Sequence, residues 1–377
     1  MADVPVTRTG GPNAAPVRAG ARPRTPLTAA SAPRNAPAPQ TYGCLSLDGT
    51  PPAEPAELLA TGREVLTDGD RTAGADAMTT TQARHHDHSH GHPHHHGHDD
   101  DFDWAAMADL LELEGETHSP YVRQALAELG ELTPRRILDI GSGPGVAACR
   151  MASVFPEAEV TAVDGTPELL ARATERAARL GVPLRTQVAE FPAGLAGLGP
   201  ADLVWTAQVV HHVGDQQGAL DQLAGLLAPG GVLAVVEGGL PPRWLPRDLG
   251  FGRPGLQERL DVAMADRFSR MRAELPGTVP AVESWSVMLR AAGLTGVRSK
   301  TFLVDHPAPQ ADGPEQPVRL MARRSLERCR ATLADLLDEE DLTTLDRLLD
   351  PADPAGVDRR PDLFLLTAKT VHFGTAA

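Results

Sequence analysis

The stretch LDIGSGPG, residues 138–145, decides the fold of this chain. It joins a short apolar run to three glycines spaced two residues apart, and a helical pattern that ends near Val154 follows directly. Glycine lets the backbone turn sharply, and it lets a ligand approach the main chain where a Cβ atom would collide. The pattern therefore predicts a buried strand, a ligand-binding loop and a helix, in that order.

Short apolar runs alternate with helical patterns on the C-terminal side of this loop. Such alternation is typical of parallel strands with helices on both faces. The predicted strands cover residues 137–140, 160–163, 184–188, 202–206, 232–236, 297–304 and 363–370. The predicted helices cover residues 168–180, 216–227, 256–271, 285–292, 315–337 and 340–349. The sequence thus predicts an α/β protein with a doubly wound, Rossmann-like sheet.

The composition of the 377 residues changes near residue 98. Residues 1–84 hold 11 of the 34 prolines and almost no periodic apolar pattern. This part buries too little apolar surface to offset the entropy of ordering, so we expect residues 1–98 to be a disordered tail. Residues 99–377 are then one folded domain. Its predicted parts are a helical cover (99–130), a core sheet (135–239, 295–305 and 362–371) and lid segments (240–292 and 306–360).

A His-rich tract, residues 85–98, holds nine of the 14 histidines. Imidazoles at this density can bind divalent transition metals weakly, although Gly, Ser and Pro between them leave no fixed geometry. A solvated linker is the alternative interpretation. A non-enzymatic metal-binding protein that acts through this tract is accordingly one rival hypothesis for the function. Met78 stands just before the tract, so translation from Met78 is a further hypothesis.

Charge and cysteine content restrict which partners the protein is expected to bind and in which compartment it is expected to act. The net charge of −15 disfavours nucleic acids and anionic membranes, and residues 99–377 carry 41 acidic against 27 basic residues. The three cysteines, Cys44, Cys149 and Cys329, are too few and too scattered for a disulfide framework or a zinc site. No apolar run approaches the roughly 18 residues that span a bilayer. We therefore expect a cytoplasmic protein with a small or cationic ligand and no structural metal.

The glycine loop does not match the two common phosphate-binding patterns. No Gly-Lys-Ser/Thr follows it, and Val146 stands where the dinucleotide fingerprint has its third glycine. Asp139 would repel a pyrophosphate but suits a ligand with an ammonium or sulfonium group. Asp164 follows the second strand, where a carboxylate can accept both hydroxyls of an adenosine ribose; a cap of the next helix is the alternative. A NAD-dependent oxidoreductase remains a second rival hypothesis.

With these features the chain resembles the class I S-adenosylmethionine-dependent methyltransferases. The matching stretches are LDIGSGPG (138–145), AVDGTPELLARA (162–173), ADLVWTAQVVHHV (201–213), LAPGGVLAVVEGG (227–239) and LRAAGL (289–294). The resemblance implies a seven-stranded sheet with the last strand antiparallel, and S-adenosyl-L-methionine as cofactor. About 60 residues stand between strands six and seven, where the family usually has a hairpin.

The resemblance also implies the residues that bind the cofactor. Its methionine part is expected over the loop from Gly141 to Gly145 and its ribose on Asp164, with the adenine edge at Ala189 and Glu190. The complete expected set is Asp139, Gly141, Ser142, Gly143, Gly145, Asp164, Gly165, Ala189, Glu190 and Gln208.

Transfer to a hydroxyl or an acidic carbon needs a base, and imidazole titrates in the right range. His211 and His212 follow the fourth strand, and we expect one of them to be the base, with His212 slightly favoured. Glu237 at the end of strand five is a third catalytic candidate. Three reserve candidates are His306, Trp205 and Trp244.

The acceptor is expected to be a small organic molecule. The Asn/Asp-Pro-Pro-aromatic sequence that amino-methylating nucleic-acid enzymes carry after strand four is absent, since residues 206–209 read Thr-Ala-Gln-Val. The pattern of residues 209–231 looks most like enzymes that methylate quinone precursors or specialised metabolites. We therefore predict methyl transfer to such an acceptor by in-line displacement.

Overall fold

The computed structural model describes residues 107–308 and 316–377 of the chain. The predicted tail of residues 1–98, including the His-rich tract and Met78, lies outside the described residues. The first residues of the predicted helical cover, 99–106, lie outside them as well.

The described residues contain one sheet of seven strands. The strands are β1 (Arg136–Ile140), β2 (Glu159–Asp164), β3 (Arg185–Val188), β4 (Ala201–Ala207), β5 (Leu227–Arg243), β6 (Thr295–His306) and β7 (Leu365–Thr375). Their order across the sheet is β3-β2-β1-β4-β5-β7-β6. The first five strands pair in parallel, whereas β7 runs antiparallel to both β5 and β6. This architecture confirms the predicted Rossmann-like sheet with its antiparallel last strand.

Helices cover both faces of the sheet. They are α1 (Ala108–His118), α2 (Pro120–Ala127), α3 (Val146–Val154), α4 (Pro167–Leu180), α5 (Gln216–Gly225), α6 (Leu256–Glu274), α7 (Trp285–Ala291), α8 (Pro317–Thr332) and α9 (Glu339–Leu349). The local signals in the sequence explain their ends; α4, for example, begins at a proline and stops at Gly181, which has a φ of +66°. None of the helices that the structure describes is long and apolar enough to cross a bilayer.

The alternation of side chains along the strands creates two buried layers. Ile137 of β1 packs in a layer with residues of α2, α3, α6 and α8, and Leu138 packs in the opposite layer with α5 and α7. Burial of both faces accounts for the continuous apolar runs in β1, β2 and β4. The carboxyl ends of these parallel strands meet at one edge of the sheet, which is where ligands bind in open α/β sheets.

Strand β5 is much longer than the predicted strand over residues 232–236. It runs from Leu227 to Arg243, so Glu237 lies inside β5 and the prediction that it ends the strand is wrong. Gly238 and Gly239 follow with φ of +72° and +112° and form an irregularity, after which β5 pairs with β7 again. In the sequence, two consecutive glycines look like the end of a strand. The strand continues because it pairs with β7, and pairing between segments that are distant in sequence leaves no local pattern.

The last part of the chain also departs from the predicted boundaries. Strand β7 covers Leu365–Thr375, whereas the predicted strand covered residues 363–370. It continues past residue 370 because Val371 and Phe373 pair with β5 and are fully buried. His306 is the last residue of β6 and does not follow that strand as predicted. Helix α8 ends at Thr332, five residues before its predicted end. Helices α8 and α9 form the long connection between β6 and β7.

Buried ion pairs fasten the long connection to α6. Asp341 of α9 is 1% exposed and accepts two hydrogen bonds from Arg259 of α6, from Nε at 2.6 Å and from Nη2 at 2.6 Å. Arg253 donates to the same carboxylate at 3.0 Å. A bidentate pair with an almost fully buried carboxylate fixes both partners in register. The two helical segments that were predicted as lids are therefore joined to each other.

Candidate active site

The glycine loop after β1 has a backbone that only glycine adopts without strain. Gly141, Gly143 and Gly145 have φ of +68°, +53° and +74°. A Cβ atom would collide with Val209 at the first of these and with Ala173 at the last, whereas at Gly143 no atom lies within 4 Å. The loop is thus pressed against its neighbours at both ends and faces open space at its centre.

Asp164, at the end of β2, holds this loop in place. Its Oδ2 accepts a hydrogen bond from Gly143 N at 2.8 Å, and its Oδ1 accepts one from Thr166 N at 2.9 Å. Helix α4 has Thr166 as its N-cap, so Asp164 is not the cap itself. Each carboxylate oxygen keeps a lone pair after these bonds, which leaves capacity for two ribose hydroxyls. The loop-ordering role of Asp164 was not predicted from the sequence.

Asp139 is a buried carboxyl group with one unused oxygen. The residue is 2% exposed, and its Oδ2 has no hydrogen-bond partner among the described residues. Burial raises the pKa of Asp139 to about 7; the N–H of Ala148 opposes this rise, and the charge of Asp164 adds to it. Ser142 Oγ in the adjacent loop is also buried without a described partner. An orphaned carboxyl oxygen beside an open glycine loop fits the ammonium of a methionine moiety and does not fit a pyrophosphate.

Three predicted adenosine-site residues lie together beyond Asp164. Ala189 N donates to Asp164 O at 3.0 Å, which joins the ends of β2 and β3. The carboxylate of Glu190 lies against Gly165, where a Cβ atom would stand 2.7 Å from Oε2. Glycine at position 165 therefore leaves room for the Glu190 side chain. The assignment of Ala189 and Glu190 to the adenine edge stays a prediction.

Gln208, directly after β4, has a strained backbone. Its φ of +59° is the one positive value recorded for a residue other than glycine in the described part of the chain. Its N and Nε2 both donate to Val236 O of β5, at 2.9 and 3.2 Å. Strain of this kind concentrates at functional sites. The turn after β4 therefore has an unfavourable backbone conformation at the carboxyl edge of the sheet, and two hydrogen bonds to β5 hold it there.

His211 and Glu237 form a hydrogen-bonded dyad just beyond Gln208. Nδ1 of His211 lies 2.9 Å from Oε2 of Glu237, whose residue is 3% exposed. The other oxygen, Oε1, accepts from the backbone N–H groups of Val209, Val210 and His211 at 3.1, 2.9 and 3.3 Å. Glu237 thus holds the one-turn 3₁₀ helix Val210–His212 and orients the ring of His211 at the same time.

Helix α6 contacts the dyad from the lid side. Phe268 lies with its ring centroid 5.5 Å from that of His211, and Arg272 Nη1 donates to the carbonyls of His211 and Val213 at 2.8 and 2.6 Å. The ring of His212 also packs on that of His211, with 4.2 Å between centroids. His211 is therefore in contact with α6 and with His212, and Glu237 orients its ring.

The other candidates occupy different places. His306 Nε2 lies 2.7 Å from Thr117 O and fastens β6 to the end of α1. Trp205 and Trp244 are 0% and 3% exposed and belong to the core, where the Trp205 ring stacks on Tyr121. Among the residues that the structure describes, no group of His, Cys, Asp and Glu is arranged to hold a metal ion.

Several residues of this region were not predicted. Tyr121 of α2 and His118 of α1 are buried, and Lys369 of β7 is half-buried. The charge of Glu237 raises the pKa of both Tyr121 and Lys369, and the charge of Asp139 adds to the rise at Tyr121, whereas the charge of Lys369 lowers the pKa of His118. Arg272 is a fourth. Lys369 could have been noticed from the sequence, because it lies in a predicted strand and the chain has only two lysines. The other three residues look like ordinary helix residues in the sequence.

Comparisons with known proteins agree with this geometry. A family model for a methyltransferase domain matches residues 138–233. Trans-aconitate 2-methyltransferase of Methylobacterium radiotolerans is 34% identical over 151 residues, which cover 39% of this chain and 56% of that protein. Demethylmenaquinone methyltransferase of Thermus thermophilus is 32% identical over 185 residues, which cover 46% of this chain and 80% of that protein. The chain spans about half the length of the trans-aconitate enzymes.

The crystal structure of the YcgJ protein from Bacillus subtilis is 20% identical with a TM-score of 0.40, and the match covers 69% of this chain and 100% of that one. The family match includes the glycine loop, Asp164 and the His211 turn, and the Thermus relative is covered over most of its length. S-adenosyl-L-methionine is the cofactor that these features accommodate, and a nicotinamide cofactor is not favoured. The chain belongs to the class I S-adenosylmethionine-dependent methyltransferases.

Proposed function

We propose that this protein transfers a methyl group to a small organic acceptor, with His211 as general base and Glu237 as its orienting partner. The observation that carries the proposal is the dyad beside the carboxyl end of β4, in which Nδ1 of His211 lies 2.9 Å from Oε2 of Glu237, a residue inside β5. When bound, S-adenosylmethionine supplies a sulfonium methyl that a substrate nucleophile displaces in line. The protein has to align the nucleophile, remove its proton and exclude water.

The dyad favours one tautomer of His211. A carboxylate at Nδ1 accepts a hydrogen bond from the N–H of that nitrogen, which keeps the proton on Nδ1 and leaves Nε2 with a free lone pair. Nε2 can then remove a proton from a hydroxyl or an acidic carbon, and the buried carboxylate stabilises the imidazolium that forms. This arrangement supports His211 over His212, and it assigns Glu237 to orientation because both of its oxygens already accept hydrogen bonds.

Helix α6 supports the same role by closing over the base. Arg272 donates to two carbonyls of the His211 turn, and Val279 N donates to Gly214 O at 3.2 Å. A Cβ atom on Gly214 would collide with Pro276 O, so the segment that follows α6, residues 275–279, is in close contact with the end of the His211 turn. We infer that this segment fixes the base and keeps bulk water from the reacting groups.

The acceptor class is inferred from the names of the relatives and from charge. The names of the relatives specify acceptors as different as trans-aconitate and demethylmenaquinone, which supports a small molecule and leaves its skeleton open. We propose a quinone precursor or a specialised metabolite. The excess of negative charge in residues 99–377 argues against nucleic acids as substrates, and the cysteine pattern supports a cytoplasmic location.

Two measurements on the full-length protein test the function. Methyl-labelled S-adenosylmethionine is incubated with cell extract, and the extract is then separated into small molecules, protein and nucleic acid. We expect label in the small-molecule fraction, and label only in macromolecules or in no fraction would contradict the proposal. Calorimetric titration should detect S-adenosylhomocysteine at micromolar concentrations, and tighter binding of NADH would contradict the cofactor.

Asp164→Ala should weaken binding of S-adenosylhomocysteine by about 1 to 3 kcal/mol, the scale of leaving polar partners unpaired. The loss has two sources, because the ribose hydroxyls lose their acceptor and Gly143 N loses the bond that orders the loop. Isothermal titration measures the affinity. Glu168→Ala, an exposed carboxylate in the first turn of α4, is the matched control and should leave affinity unchanged. Equal affinities for Asp164→Ala and the wild type would contradict the assignment.

Binding of S-adenosylhomocysteine should strengthen as pH rises through 7. Burial raises the pKa of Asp139 to about 7, so below that pH the free protein holds a proton that must leave before the carboxylate can face the ligand's ammonium. One linked proton changes affinity by up to about tenfold per pH unit. Titrations between pH 5.5 and 8 should show this slope in the wild type and a flat profile in Asp139→Asn. A flat wild-type profile would remove Asp139 from the ammonium site.

A further inference from the structure

A chain of hydrogen bonds connects the exposed side of the sheet with the main chain of Glu237. Oγ of Ser286 in α7 lies 3.0 Å from Oγ of Ser299 in β6, and Ser299 Oγ lies 2.7 Å from Nδ1 of His372 in β7. Nε2 of the same ring lies 3.2 Å from the carbonyl oxygen of Glu237 in β5. These four residues are called the His372 chain below. It ends on the residue whose carboxylate orients His211.

The direction of each hydrogen bond in the His372 chain follows from its last member. A carbonyl oxygen can only accept, so Nε2 of His372 carries the ring proton and Nδ1 has the lone pair. Nδ1 then accepts from the hydroxyl of Ser299, and Ser299 Oγ accepts from Ser286. Burial lowers the pKa of His372, against the hydrogen bond to the Glu237 carbonyl and the charge of Glu237, so the ring is neutral near pH 7. The chain thus specifies one tautomer of His372.

Packing holds the His372 ring in one place. The residue is 8% exposed, and its ring centroid lies 6.2 Å from that of Trp285 in α7. His372 pairs with Val235 of β5, which is fully buried two residues before Glu237. Side chains two residues apart on a strand lie on one face, so His372, Val235 and Glu237 share the face that α7 covers. The ring is therefore fixed by its neighbours and by a hydrogen bond at each nitrogen.

The hydrogen bond from His372 reaches Glu237 where the sheet is irregular. The register between β5 and β7 shifts between Val236 and Gly239, so Glu237 and Gly238 stand opposite a single residue of β7. Such bulges change the direction of a side chain, and they are frequent next to active sites. Regular strand pairing therefore does not determine the main-chain orientation at Glu237, and the ring of His372 supplies a hydrogen bond at this point.

We propose that His372 is a positioning residue for the base. It holds the main chain of Glu237 so that the carboxylate faces the turn after β4 and keeps the ring proton of His211 on Nδ1. The two histidines then carry opposite tautomers, with the proton on Nε2 in His372 and on Nδ1 in His211. His372 acts through Glu237 and transfers no proton itself. The inference rests on the proposed function, because it explains how the proposed dyad is oriented.

Two amides at position 372 separate the hydrogen bonds of the ring. The amide of Gln reaches as far as Nε2 and can donate to Glu237 O, whereas the amide of Asn reaches only as far as Nδ1. Full-length protein labelled with ¹⁵N-histidine and saturated with S-adenosylhomocysteine is measured by NMR near pH 7.5. We expect His372→Asn to lose the single Nδ1–H state of His211 and to show Nε2–H as well. His372→Gln should keep the wild-type state.

The rate of methyl transfer should follow the same order. With labelled S-adenosylmethionine and cell extract, transfer of label to the small-molecule fraction should fall about 10- to 100-fold in His372→Asn, the range for partners that orient metal ligands. His372→Gln should recover most of this loss. Thr301→Val is the matched control, because it removes a 2.9 Å hydrogen bond to Thr370 between the same two strands that does not reach Glu237. It should change neither the rate nor the His211 signal.

The wild type provides a further readout that does not depend on how the variants fold. His372 should carry its proton on Nε2 and none on Nδ1, and a proton on Nδ1 would overturn the proposal. An unchanged His211 signal in His372→Asn would also overturn it, as would losses in His372→Gln or Thr301→Val equal to that in His372→Asn. A wild-type His211 without a proton on Nδ1 would count against the proposed function, whereas one that keeps this proton in His372→Asn would count against the positioning role alone.

Discussion

Replacing His211 with asparagine should lower the rate constant of methyl transfer by about 10²- to 10⁴-fold, the usual contribution of a positioned base. Asparagine can still donate a hydrogen bond to Glu237 Oε2, which His211 Nδ1 contacts at 2.9 Å, so the turn should keep its shape. What it lacks is the lone pair of Nε2. The expected result is a loss of kcat with little change in affinity for S-adenosylhomocysteine, measured with labelled cofactor once an acceptor is identified.

His212→Asn is the matched control for this experiment. Its ring packs on His211 at 4.2 Å between centroids, so its loss should disturb packing and reduce kcat much less. A larger loss in His212→Asn than in His211→Asn would restore the original preference for His212 drawn from sequence. Equal activity of His211→Asn and the wild type would show that the acceptor needs no base at this position.

Changing Glu237 to glutamine is the second substitution with a large expected effect. An amide can still accept from the backbone N–H groups of the turn through its oxygen, but its NH₂ group then faces Nδ1 of His211. Nδ1 becomes the acceptor and the ring proton moves to Nε2, which removes the base. The corresponding carboxylate-to-amide change in a Ser-His-Asp triad costs about 10⁴ in kcat. We expect a loss of about 10³ to 10⁴ here.

Stability and binding measurements separate this effect from damage to the fold. Thermal unfolding and affinity for S-adenosylhomocysteine should be close to those of the wild type, because Gln preserves shape and the backbone hydrogen bonds. Glu283→Gln is a control, because Glu283 is exposed, accepts a hydrogen bond from Gln216 Nε2 at 3.0 Å and makes no contact with the dyad that the proposal uses. Normal kcat in Glu237→Gln would show that the carboxylate does not set the tautomer.

The parts of the fold that were predictable from sequence depend on local patterns. Strands β1, β2 and β4 are buried on both faces and are read directly as apolar runs, and the glycine loop between β1 and α3 needs φ values that only glycine adopts freely. Asp164 was found by its spacing from this loop. In each case the residues that define the feature lie within about 25 positions of each other.

The features that were missed depend on contacts between distant residues. Strand β5 continues past Gly238 and Gly239 because β7, more than a hundred residues later, pairs with it there. Glu237 was predicted only as a third catalytic candidate, since the sequence does not reveal that a carboxylate in β5 accepts three backbone hydrogen bonds from the turn after β4.

The sequence does not distinguish His211 from His212 for a related reason. Both lie in a one-turn 3₁₀ helix, where neither the strand period nor the α-helical period says which side chain faces the edge of the sheet. The core strands and helices could be predicted because their apolar residues recur at regular, short spacings. Most residues of the candidate active site are distant in sequence and come together only when the sheet forms.

The tautomer of His211 tests the central claim most directly, and it requires no knowledge of the acceptor. Histidine labelled with ¹⁵N reports by NMR which ring nitrogen carries the proton, and His211→Asn assigns the signal. With S-adenosylhomocysteine bound near pH 7.5, the dyad predicts protonated Nδ1 and unprotonated Nε2 for His211, and the reverse in Glu237→Gln. A proton on Nε2 of His211 in the wild type would contradict its role as the base.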